Sequence, residues 1–201
     1  MPLRNRVTPE GDIVAHSARG TLMGNRGRLH REDRTLGPSR WTTKAWIACA
    51  LSFRGRRRNV ISPGSYTELF LLDEATACAA GHRPCAECRR ADFSAFRARW
   101  ESAFGPARAA DIDAALHAAR VRRDRSKITF RADDRGLPDG TMIRAASGPA
   151  LTLGGRLLPW TPSGYAPAGP RPAGPVTVLT PAPMVAAFRE GFRPAVHPTG
   201  G

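Results

Sequence analysis

No apolar run in this chain of 201 residues approaches the ~20 residues that a membrane-spanning helix needs. The opening stretch, MPLRNRVTPEGDIV, lacks the apolar core of a secretory signal. Nucleotide and hydrolase signatures are missing as well: there is no G-x-x-x-x-G-K-[ST] loop, no G-x-S-x-G elbow and no H-E-x-x-H helix. These absences remove membrane-spanning, P-loop and common triad or zincin readings. They leave a bacterial cytoplasmic protein as the expectation, in a compartment where thiols stay reduced. Four cysteines there favour metal or thiol chemistry over a disulfide framework.

Lysine is nearly absent too. Lys44 and Lys127 are the two lysines among 31 basic residues, against 17 acids, for a net charge of +14. Arginine with abundant alanine, glycine and proline is the signature of a GC-rich genome, yet the acids have not risen to match. Residues 1–125 carry 23 basic and 13 acidic groups, and residues 126–201 carry 8 and 4. A polyanion partner, DNA ahead of RNA, follows from that imbalance. Docking on another protein within a larger assembly is the other use of such a surface.

The hydrophobic fraction of 41% is close to that of ordinary globular chains, and the pattern predicts an α+β fold in two parts. Residues 1–40 read as loop, with Gly20, Gly24 and Gly27 beside Arg19, Arg26 and Arg28 as a possible anion-binding nest. AWIACALSF (45–53) and SYTELFLL (65–72) read as a strand hairpin with a basic tip at Arg54, Arg56, Arg57 and Arg58. Asp73 caps a short helix that Gly81 and Pro84 end. A second helix, about 91–104, places Phe93, Phe96, Trp100 and Phe104 on one stripe. A third, about 111–122, gathers Ile112, Ala115, Leu116 and Ala119. From 126 the texture is β-rich: KITF, TMIRA, ALTL, RLLPW and VTVLT are short strands, with Gly154-Gly155 as a two-residue hairpin turn. Residues 161–175 read as loop, and 182–190 as a last helix. Residues 1–125 thus form a basic metal-binding module with two following helices, and 126–201 a small β-rich region.

The chemistry centres on AAGHRPCAECRR (79–90). Cys85-x-x-Cys88 brings two sulfurs to one side of a turn, half of a tetrahedral zinc site. Cys49, Cys78, His82 and His30 are the candidates for the remaining ligands, with Cys49 first and Cys78 or His30 as the fourth. The alternative is a redox dithiol at a helix N-terminus, with Arg83, Arg89 and Arg90 favouring the thiolate. Cys78 alone reads as a small buried helix residue.

The stretch LDEATACAAGHRPCAECRRAD resembles the metal-binding N-terminal module of Ada-type DNA repair proteins, in which a helix leads into Gly-(aromatic or His)-Arg-Pro-Cys-x-x-Cys. The resemblance implies a zinc ion on four cysteines, one of which accepts a methyl group from a DNA phosphotriester. It carries the second cysteine pair onto Cys85 and Cys88. The first pair would fall in RGRRRNV, which has no cysteine, so the acceptor role could pass only to Cys49.

The sequence therefore points to a zinc-binding, nucleic-acid-binding protein in DNA repair or processing, with Arg26, Arg28, Arg54, Arg56, Arg57, Arg58, Arg89 and Arg90 on phosphates. The alternative is a metal-dependent nuclease or other hydrolase drawing on His30 with Glu68 or Asp73. Glu68 by itself reads as the solvent face of a strand. Trp41, Trp46 and Trp160 could stack on bases or pack at strand ends.

Overall fold

The computed structural model describes residues 1–55 and 60–200, and the fold is α+β, with two sheets and four α-helices among those residues. The first sheet holds β1 (Arg4–Val7), β2 (Ile13–Ala15), β3 (Leu22–Asn25), β4 (Ile47–Ala50), β5 (Leu69–Leu71) and β6 (Arg83–Pro84), in the order β2-β1-β5-β3-β4-β6. Three of these strands come from the segment expected to be loop. Each is short and buries one apolar residue or none, Val7 in β1 and Ile13 in β2, so periodicity had almost nothing to register. The glycines there serve close packing. A Cβ on Gly20 would stand 2.3 Å from the Leu71 carbonyl oxygen, and one on Gly24 would stand 2.9 Å from Leu71 Cδ1.

The expected hairpin of β4 with β5 does not form. β3 lies between them and pairs antiparallel with both, placing Met23 opposite Cys49 on one side and Phe70 on the other. β4 pairs instead with β6, in parallel. Strand alternation then divides the sheet. Leu69, Leu71 and Ala48 face a core with Ala77 and Ala80. Met23, Cys49 and Phe70 face the other way, into a pocket they share with Glu68.

Helix α1 (Glu74–Ala80) is buried along its whole length. Asp73 caps it, accepting from the Thr76 N–H at 2.8 Å. Its alanines let packing approach from every side: Ala77 and Ala80 meet the first sheet, Ala75 and Ala79 the second, and Cys78 the other helices. Gly81 ends it in the left-handed region at φ 94°, where a Cβ would stand 2.5 Å from Arg120 Cδ. Gly81→Ala therefore combines backbone strain with a clash against a buried side chain. We expect a loss of about 2–4 kcal/mol, read as a lower urea midpoint with unchanged slope; an unchanged midpoint would refute this account of the turn.

Helices α2 (Arg90–Phe104), α3 (Ala109–Arg120) and α4 (Ala182–Arg189) share a core of Phe93, Phe96, Trp100, Ile112, Leu116, Met184 and Phe188. Phe104 leaves the expected stripe: it is 52% exposed at the last helical position, resting on Trp100. α3 also turns differently from expectation. Ala115 is exposed, and Asp113 and Arg120 take buried positions beside Ile112 and Leu116, because both polar groups find partners inside.

The second sheet contains β7 (Phe130–Asp133), β8 (Met142–Ala145), β9 (Gly148–Leu153), β10 (Arg156–Thr161), β11 (Gly164–Tyr165), β12 (Gly169–Pro170) and β13 (Pro175–Val178). Its order is β11-β10-β9-β8-β13-β7, with β12 also on β10. Gly154 and Gly155, both at positive φ, turn β9 into β10 as the sequence predicts. β11 and β12 lie within the stretch expected to be loop, each only two residues long. The two sheets are joined through α1 and the strand end before it. Leu72, Ala75 and Ala79 pack with Met142, Leu151 and Leu179, and α4 packs among α2 and α3. Among the described residues, no helix is long and apolar enough to cross a membrane.

Candidate metal centre

Cys49, Cys85 and Cys88 come together with their Sγ atoms all within 4.8 Å of one another, a group able to hold a metal ion. Cys49 arrives on β4, on the face turned away from α1. The N–H of Cys85 bonds the Ala48 carbonyl at 3.0 Å, so the parallel β4–β6 pairing carries the Cys-x-x-Cys turn alongside Cys49. The turn runs directly into α2, whose N-terminal end favours negative charge on the preceding sulfurs. The Ala50 N–H points at Cys88 Sγ and the Glu87 N–H at Cys85 Sγ, each at 3.4 Å. Tetrahedral zinc at 2.3 Å from each sulfur sets sulfurs about 3.8 Å apart, a spacing within reach of this group.

The three thiols are electrostatically unequal. Cys85 is lowered to about 5, first because Cys49 donates its S–H to it and then because the N–H groups of Cys88 and Glu87 point at it. Cys49 is pushed up by giving that hydrogen bond and by burial. Burial also raises Cys88. Cys85 is thus the thiol of the three that gives up its proton most readily, and binding of a cation would displace the remaining protons.

The other predicted ligands lie elsewhere. Cys78 is fully buried in α1 within the helical core, its thiol raised well above the usual value by desolvation. His30 is buried with Nδ1 2.8 Å from Thr67 Oγ1 and Nε2 3.2 Å from the Ser62 carbonyl oxygen. His82 accepts a hydrogen bond from Arg26 Nε at 3.2 Å, on the far side of β6. None belongs to the sulfur group.

The thiols open onto a cavity of about 290 Å³ lined by Met23, Ile47, Phe53, Val60, Tyr66 and Glu68 among others. Glu68, expected on a solvent face, is only 2% exposed. Its Oε2 accepts from the Ile61 N–H at 2.7 Å, and its Oε1 is buried with no partner among the described residues. Two strand spacings, about 10 Å, separate the backbones of β4 and β5, so thiols and carboxylate face a shared cavity from different strands. The carboxylate oxygens stand outside the sulfur group. Asp73, the other acid considered for catalysis, is engaged by its helix cap, by the Tyr165 hydroxyl and by the His197 N–H.

Of the arginines expected on phosphate, Arg28, Arg54 and Arg90 are exposed. Arg56, Arg57 and Arg58 lie outside the described residues. Arg89 is committed internally, to Glu74 at 2.7 Å and Asp92 at 2.8 Å. Arg26 is buried and stacks on Trp46 at the opposite end of β4. Trp46 and Trp160 are packing residues, Trp160 donating to Thr76 Oγ1 at 3.0 Å. The burial of Glu68 left no mark in the sequence, because it depends on β3 separating two strands that look contiguous.

Comparison with protein families, with curated proteins and with solved structures finds no match to this chain.

Proposed function

We propose that the chain is a zinc-dependent enzyme acting on nucleic acid, with Cys49, Cys85 and Cys88 as metal ligands and Glu68 as its proton-handling group. The observation that carries this reading is a group of three thiols open to a pocket. Structural zinc sites close their shell with four protein ligands, whereas catalytic ones keep a position free. A zinc ion held there supplies Lewis acidity and lowers the pKa of water. Glu68 would be the group to receive a proton there: its Oε2 is fixed by the Ile61 N–H, and its Oε1 has no hydrogen-bond partner among the described residues. Three cysteines around zinc with a non-ligating glutamate is a donor set that serves hydrolytic attack on nucleobases. Phe53 and Val60 lie on the pocket wall, and the net charge of +14 supports an anionic substrate.

The Ada-like reading is the second. The half-buried Cys49 faces the same pocket and would accept a methyl group from a DNA phosphotriester. Three thiolates leave the zinc centre one charge less negative than four do, which weakens a thiolate nucleophile and favours the hydrolytic reading.

Glu68→Gln separates the two. With zinc-loaded protein and single-stranded DNA or RNA, we expect this variant to keep its zinc and its nucleic-acid affinity while turnover falls by about 10²–10⁴-fold. Unchanged turnover would remove Glu68 from the chemistry. A single methyl gain on Cys49, without turnover, would replace hydrolysis by alkyl transfer.

A further inference from the structure

A second cavity, of about 410 Å³, opens at the other end of β4, where Trp46 leads into the strand. Its wall carries six cations, Arg26, Arg40, Arg120, Arg125, Lys127 and Arg144, against the acids Glu10, Asp12 and Asp124. Each acid is already engaged. Asp12 pairs with Arg40 at 2.7 Å, Glu10 with Arg144 at 2.7 Å, and Asp124 accepts from the Ser126 N–H and hydroxyl.

The three inner cations have no carboxylate within ion-pair reach among the described residues. Arg26 and Arg120 are each 1% exposed, and each guanidinium stacks 3.9 Å from the Trp46 ring. Arg26 donates to the Gly11 carbonyl and to His82, leaving Nη2 buried with no partner among the described residues. Arg120 donates to the carbonyls of Gly81 and Lys44, leaving Nε likewise without a partner among the described residues. The acid nearest to it in the core, Asp113, is taken up by Arg83. Lys127 tucks its ammonium against the Ala79 carbonyl at 2.7 Å.

Cations held near one another, two of them fully buried and with the nearest carboxylates paired elsewhere, are costly to maintain. The Trp46 ring and backbone carbonyls offset part of that cost, but they leave donors unused and the charge uncancelled. The strain shows on the groups themselves. Burial lowers Arg26 and Arg120 to about 9, and burial together with Arg26 lowers Lys127 to about 7.

We propose that this cavity is a binding site for a dianionic phosphate group, held by Arg26, Arg120 and Lys127 with Arg40 and Arg144 at its rim. A dianion fits the surplus of three positive charges, six cations against three acids on the wall, and arginine and lysine are the side chains that bind phosphate oxygens by charge-assisted hydrogen bonds. The site stands apart from the thiols and does not depend on them. The phosphate is either inorganic or the terminal group of a larger ligand, for which the half-buried Trp41 at the rim provides a stacking surface.

Calorimetric titration of the full chain with inorganic phosphate tests the site. Saturable one-to-one binding is expected in the wild type. Lys127→Met, at a half-buried position that a methionine can fill, should weaken it about tenfold or more. Arg40→Ala, on the exposed rim, should weaken it less and serves if Lys127→Met misfolds. Metal content should be the same in both variants, so failure here is distinct from failure at the thiols. A nucleoside 5′-monophosphate that binds more tightly than phosphate identifies a larger ligand, and equal affinity identifies the free ion. Absence of saturable binding to wild type, or affinity unaltered in both variants, overturns the proposal.

Discussion

Cys85→Ser and Cys88→Ser should each leave the protein essentially without zinc, whereas the wild type is expected to bind one ion per chain and Cys78→Ser as much as the wild type. Structural zinc in small peptides is worth about 10–16 kcal/mol over four ligands. Loss of one thiolate should then cost some 3 kcal/mol, more than a hundredfold in affinity. Cys49→Ser should behave like the other two, since its sulfur completes the group. His30→Ala should retain the metal, its ring being held by Thr67 and Ser62 well within the fold. Metal analysis of the purified variants, with circular dichroism beside it, reads all of these. The metal-free variants should remain folded, because the three thiols hang from β4 and the approach to α2, and both rest on apolar cores without the ion. Cys78→Ser moves in the opposite sense: zinc is kept and stability falls, as a fully buried thiol in an apolar cluster becomes a hydroxyl. A wild type that neither carries nor takes up zinc would sink the metal centre, and zinc loss in Cys78→Ser would redraw it.

Local signals in this chain were legible and non-local ones were not. Asp73, Gly81 and Pro84 mark the ends of α1, and Gly154-Gly155 marks a hairpin, because each acts on backbone within a few residues. The α+β class and the pairing of Cys49 with Cys85 and Cys88 were also within reach of the sequence. β1, β2 and β3 were not, being three or four residues long with little apolar alternation. Their omission had consequences. Without β3 the segments 45–53 and 65–72 look like one hairpin, Glu68 looks solvent-exposed, and the cavity between thiols and carboxylate does not exist. The buried face of α3 is hidden from the sequence for a related reason. Its buried Asp113 and Arg120 are paired with residues 30 and 39 positions away in the chain, and helical periodicity carries no trace of such partners.

Asp113→Ala tests how the Cys-x-x-Cys turn is held in place. Arg83 and Asp113 form a two-pronged pair, Nε to Oδ1 and Nη2 to Oδ2, both at 2.8 Å. Their side chains are only 6% and 10% exposed. Arg83 belongs to β6 and lies two residues before Cys85, so the pair ties the turn that carries the thiols to α3. Removing the carboxylate strands a guanidinium among Phe93, the Pro84 carbonyl and the cation of Arg120. Breaking a buried pair in this way costs about 3–5 kcal/mol. At roughly 2–4 °C per kcal/mol for a chain of this size, the melting temperature should fall by about 10 °C. Replacing both partners, Arg83→Met with Asp113→Leu, should recover most of the loss, since neither charge is then left alone. Zinc affinity distinguishes a pin from a mere stabiliser. If the pair positions the turn, Asp113→Ala weakens zinc at temperatures well below unfolding and the double variant restores it. A variant that melts within 2 °C of the wild type would show that α3 does not anchor β6 through this pair. Wild-type zinc affinity in a destabilised Asp113→Ala would show that the β4–β6 pairing alone sets the sulfurs.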